Sequence, residues 1–179
     1  MINAYLAGPI FTERDRMYLD YLANAIEGVW PELNLYVPHR NTAINDKTKP
    51  ANSKQIYEGD MARLDNTDLL IAVVSGDMPP IGTTCEIGIF TQMQRADNSK
   101  HLLCLYDDNR NGSTTYCDEK VDMLKSGIAE NQWHYINLFL VGAIKANGKM
   151  VGTSQELFDE IEKERDFYRN FNKAEGDLS

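Results

Sequence analysis

Cysteine and histidine are scarce in this chain of 179 residues, with three of each. Cys85, Cys104 and Cys117 are odd in number and widely spaced, which argues for reduced thiols and against a disulfide frame. His39, His101 and His134 are scattered, and no Cys/His spacing matches a zinc site, so neither metal nor cofactor is expected. No apolar stretch approaches the roughly 18 residues of a membrane span. The N-terminus, MINAYLAGPIF, has neither the basic start nor the cleavage site of a signal peptide, so a cytoplasmic location is expected. Positive charge is in deficit: 18 Lys and Arg stand against 27 Asp and Glu, giving a net charge of −9. That balance weighs against nucleic acid or an anionic membrane surface as a partner, while small anionic ligands stay open. The glycine loops of nucleotide sites are missing too. AGPIFTER lacks the second and third glycines of the dinucleotide fingerprint, and no Gly-Lys-Ser/Thr phosphate loop occurs.

What remains is an ordinary globular composition, 42% hydrophobic and 25% charged, on a chain long enough to bury a sizeable core. INAYLA (2–7) reads as a strand broken by Gly-Pro. A helix follows, with Met17, Leu19, Tyr21, Leu22, Ile26 and Val29 at helical spacing, Thr12 as its cap and Pro31 as its stop. NLYVP reads as a second strand, and residues 40–53 as a polar loop. KQIYEGDMARLDNTD is helical in pattern, and DLLIAVV is the clearest buried strand. TTCEIGIFTQMQRA reads as a helix and HLLCLY as another buried strand, with a long polar loop over 107–132. WHYINLFLVGAI reads as a short strand joined to a helix, and ANGKMVG as a polar connection. A last amphipathic helix begins at TSQEL, with the tail from about 168 to 179 expected to fray.

Alternating strands and helices predict an α/β fold. A single domain over 1–179 is expected, a Rossmann- or flavodoxin-like parallel sheet of about five strands with helices on both faces. Ligands bind such sheets beyond the carboxyl ends of the strands. That edge holds Gly8–Phe11, Ser75–Gly82 and Tyr106–Arg110.

Glu86 stands at this edge, in GTTCEIGIF. Thr83-x-x-Glu86 fits a capping box, in which the two residues only close a helix start. The chain repeats the pattern in GTSQE, with Thr153 and Glu156, so the spacing alone does not separate a cap from a reactive carboxylate. Context does: Glu86 follows a buried strand, whereas Glu156 follows a polar connection. A carboxylate in the first helical turn also feels the positive end of the macrodipole, which favours its anion.

Four segments in order resemble the nucleoside 2-deoxyribosyltransferases: AYLAGPIF, IYEGDMARLDNTDLLIAVV, GTTCEIG and INLFLVGAI, spanning most of residues 4–160. The resemblance implies cleavage of the N-glycosidic bond of 2′-deoxynucleosides and transfer of the sugar to a free purine or pyrimidine base. It implies Glu86 as nucleophile, Asp60 as proton donor to the leaving base, and Tyr5 as the residue that holds Glu86. It also implies a homo-oligomer in which Asn137 serves a neighbouring site. Phe11, Gly8 and Gly82 are expected around the substrate. One position departs from the family pattern. Pro80 stands where the family has an aspartate, and Asp77 is the candidate replacement. Two other functions compete: a hydrolase of 2′-deoxynucleoside 5′-monophosphates from the same superfamily, and a nucleotide-binding module without turnover. The hydrolase needs a phosphate grip, and GPIFTER offers Pro, Ile and Phe where related hydrolases carry Ser and Arg.

Overall fold

The computed structural model describes residues 1–41, 52–76, 78–108 and 136–176. Five parallel strands form one sheet in the order β2-β1-β3-β4-β5. They are β1 (Asn3–Ala7), β2 (Asn34–Tyr36), β3 (Leu69–Val73), β4 (His101–Leu105) and β5 (Lys149–Val151). The helices are α1 (Glu13–Val29), α2 (Ser53–Leu64), α3 (Ile81–Ala96), α4 (Leu138–Asn147) and α5 (Ser154–Gly176), with a 3₁₀ turn at Pro38–Arg40. Every residue of β3 is buried, as a strand covered on both faces must be.

The alternation of side chains across the sheet divides the core in two. On one face Leu6, Ile71 and Leu103 pack with Leu19, Leu22 and Ile26 of α1 and Leu157 and Ile161 of α5. On the other face Tyr5, Leu70, Ala72 and Cys104 pack with Leu64 of α2, Ile87 and Phe90 of α3, and Leu140 and Ile144 of α4. Strand order reverses direction between β1 and β3, so the loops after these two strands part and leave a crevice at the carboxyl edge. Gly8 opens the β1–α1 loop at this point. A Cβ on it would lie 2.7 Å from Leu19 Cδ2, so glycine is what lets the loop lie against α1.

Three expectations need correction. The fifth strand is Lys149–Val151, within the stretch read as a polar connection, so Glu156 also follows a strand of the sheet. α3 begins at Ile81 with Pro80 as its N-cap, not at Thr83. The chain does not fray from 168: α5 continues to Gly176, and the Tyr168 ring is buried beside Trp30, with its hydroxyl donating to the Ser99 carbonyl. Asp77, Arg110, Cys117, His134, the strand read in WHY and most of the two long loops lie outside the described residues.

Candidate active site

Pro80 is pre-set for a helix start, and the Thr84 N–H and hydroxyl both donate to its carbonyl, at 2.9 and 3.0 Å. Starting the helix there turns Thr83 into the core, 2% exposed, and makes Glu86 its sixth residue. Glu86 is thus in the second turn, where the macrodipole has little hold, and it caps nothing. The repeated pattern behaves differently. The Glu156 N–H donates to Thr153 Oγ1 at 3.1 Å, and Glu156 Oε2 accepts from the Gly152 N–H at 2.7 Å, closing the start of α5.

Glu86 instead faces the sheet, where Oε1 accepts a 2.6 Å hydrogen bond from the Tyr5 hydroxyl. Tyr5 is fully buried in the middle of β1. Burial first, then the adjacent Glu86 charge, pushes its hydroxyl far above the ordinary tyrosine range, so it remains a proton-bearing donor. Burial also raises Glu86, and Asp60 raises it further, while the Tyr5 hydrogen bond pulls it back down. Asp60 sits half-buried on α2 and is raised by desolvation. Among the described residues no ion pair includes Asp60 or Glu86, and both carboxyls have raised proton affinity.

The structure therefore brings Tyr5, Asp60 and Glu86 into one electrostatic cluster from β1, α2 and α3. Gly82 lies in the first turn of α3, where a Cβ would meet nothing within 4 Å, so no packing demand explains it. Phe11 is 92% exposed beyond β1 and takes no part in the core. Asn137 is exposed and caps α4, its Oδ1 accepting from the Phe139 N–H at 2.9 Å. It borders an apolar groove of about 470 Å³ between α3 and α4, away from the Tyr5–Glu86 pair. Sequence reasoning missed Tyr36. Its ring lies 5.1 Å from that of Tyr5 and carries the Arg63 guanidinium 5.0 Å from its centre. The contact follows from the parallel register that makes Tyr5 and Tyr36 partners, which no spacing in the sequence shows.

Residues 4–158 match the family model described as nucleoside 2-deoxyribosyltransferase. The chain belongs to this family. Among solved structures, a conserved protein from Enterococcus faecalis is similar, with 36% identity and a TM-score of 0.74 over 92% of this chain and 99% of that one. A 2-desoxiribosyltransferase from Leishmania mexicana shares the fold, at 21% identity and a TM-score of 0.51 over 78% of this chain and 85% of that one. No curated protein matches the chain in sequence. Membership of the deoxyribosyltransferase family makes nucleosides and bases the substrate class, and the Tyr5–Glu86 pair lies in two of the segments that carried the resemblance.

Proposed function

We propose that the protein exchanges the base of 2′-deoxynucleosides through a covalent deoxyribosyl–Glu86 intermediate, with retention at C1′. The observation that carries this reading is the 2.6 Å bond from the buried Tyr5 hydroxyl to Glu86 Oε1. It holds one carboxylate oxygen and leaves Oε2 to attack. Oε2 bonds to C1′ as the C1′–N bond breaks, and the bonding pair leaves with the base. Asp60, raised by burial and so able to carry a proton, gives it to the departing base. An incoming base then attacks C1′, the C1′–Oε2 bond breaks, and Asp60 takes the proton back. A deoxyribose lacks the electron-withdrawing 2′-hydroxyl, so oxocarbenium-like charge at C1′ is less costly. Two displacements through one intermediate give ping-pong kinetics.

Phe11, Gly8, Gly82 and Asp77 are assigned to the surround of the substrate, and Asn137 to the site of a neighbouring subunit in a homo-oligomer. The monophosphate hydrolase finds less support in the β1–α1 loop. Arg16 is engaged by the Ile10 and Phe11 carbonyls, and among the described residues Arg14 reaches only Asp15, at 3.7 Å, with its side chain 90% exposed. Neither is set into the crevice as a phosphate grip.

Incubation with a deoxynucleoside and a second free base should yield the exchanged nucleoside, read by chromatography. Glu86→Ala should reduce that rate by at least about a thousandfold. Failure with every natural pair, together with release of free base from deoxynucleoside monophosphates, would overturn the transferase in favour of the hydrolase. Undiminished exchange by Glu86→Ala would remove Glu86 from the reaction.

A further inference from the structure

Tyr36 has no part in the chemistry above, yet it is the ring against which Tyr5 rests. Parallel pairing sets the two residues side by side on one face of the sheet. Their ring centroids are 5.1 Å apart at an interplanar angle of 55°. β2 is the edge strand and only three residues long, so backbone pairing by itself restrains Tyr36 little. Two side chains supply the restraint. Asn41 Nδ2 donates to the Tyr36 hydroxyl at 3.1 Å, and the Arg63 guanidinium carbon lies 5.0 Å from the ring centroid. A guanidinium at that distance is attracted to the ring face and matches its planar shape. Asp60 and Arg63 are three residues apart on α2, so one helical face delivers both the carboxyl near Glu86 and the cation on Tyr36.

We propose that Arg63 is a positioning residue for the reaction: by holding Tyr36 against Tyr5, it keeps the Tyr5 hydroxyl on Glu86. The inference rests on the reading of Glu86 as the nucleophile. Arg63 acts through the two rings and not by pairing with an acid, since no ion pair among the described residues joins it to Asp60 or Glu86. The titratable groups that bear on Glu86 are Tyr5 from β1 and Asp60 from α2, and Glu86 in turn bears on Tyr36 from β2. Tyr5 lowers the Glu86 pKa and Asp60 raises it. A Tyr5 hydroxyl that drifts off Glu86 therefore leaves the carboxyl higher, and the acid limb of the rate profile moves to higher pH.

Arg63 is exposed, so Arg63→Met removes the cation and leaves the core intact. This variant should lower kcat about tenfold through misplacement of the nucleophile, with KM held within about twofold. Its acid limb should rise. Arg63→Lys, which returns a cation to the ring, should recover part of kcat. Wild-type kcat and an unmoved acid limb in Arg63→Met would overturn the inference. A carbon-13 NMR titration of the Glu86 carboxyl reads the same effect without turnover. The curve should shift upward in Arg63→Met, and superimposable curves would overturn the inference whatever reaction the protein performs. If the curve shifts but the wild type exchanges no bases, the proposed function fails and the positioning role stands.

Discussion

Glu86 is poorly placed for stability. Desolvation and the nearby Asp60 raise its pKa above the ordinary 4.5, and the Tyr5 bond only partly offsets them. A carboxyl raised in the folded state binds more protons there than in the unfolded chain. Stability therefore falls as pH rises from about 4.5 through the folded value, and the loss is complete above it. Glu86→Gln keeps an oxygen for Tyr5 and removes the buried charge. Its melting temperature should exceed that of the wild type by a few degrees at pH 7. The gain should disappear below about pH 4, where the wild-type carboxyl is protonated in both states. Thermal melts of both proteins across pH check this. An equal gain at every pH would show that packing, not charge, separates them.

At the scale of the elements, two glycines of one helix make opposite demands. Gly148 ends α4 and leads straight into β5, and a Cβ there would lie 2.3 Å from the Leu102 carbonyl oxygen of β4. Backbone cannot rotate away as a side chain can, so Gly148→Ala forces β4 and β5 apart. It should cost about 1–3 kcal/mol, as overpacking does. Gly142 lies within the same helix with nothing within 4 Å of its missing Cβ. Gly142→Ala should stabilise by about 0.5–1 kcal/mol through helix propensity. Urea unfolding of the two variants reads both signs. The connection from α4 to β5 is also where sequence reasoning failed. β5 has three residues, of which one is buried, and so short a segment carries no periodicity. The start of α3 was misplaced for a related reason: Thr83-x-x-Glu86 satisfies the cap pattern, but Pro80 begins the helix first.

Across the whole molecule, α5 is tied to the sheet by His101 Nδ1 and Glu164 Oε2, 2.5 Å apart, at the start of β4. The Glu164 hydrogen bond raises His101 above its ordinary 6.5, against a smaller opposing effect of burial. A raised histidine contributes stability that is fully present below the unfolded pKa of about 6.5 and is lost as pH rises through the folded value. The stability difference between wild type and Glu164→Gln should therefore be largest below about pH 6.5 and shrink at higher pH. Denaturant midpoints taken between pH 5 and 9 measure it, and a pH-independent difference would exclude the ion pair as its source. On the other side of the sheet's core, Tyr5 of β1 meets Glu86 of α3.

The sequence by itself determined the α/β class, the buried strands β1, β3 and β4, and the family, because continuous apolar runs and motif segments are local in the chain. It also singled out Tyr5, Asp60 and Glu86 as candidates. Tertiary structure alone shows that Glu86 closes no helix start and accepts the Tyr5 hydroxyl instead. The local pattern served both readings equally. Tyr5 lies 81 residues away, and only parallel pairing of β1 with β3 brings its hydroxyl under α3. Tyr36 and Arg63 enter for the same reason. A contact between an edge strand and a helix depends on the register of the sheet, which no spacing within the chain records.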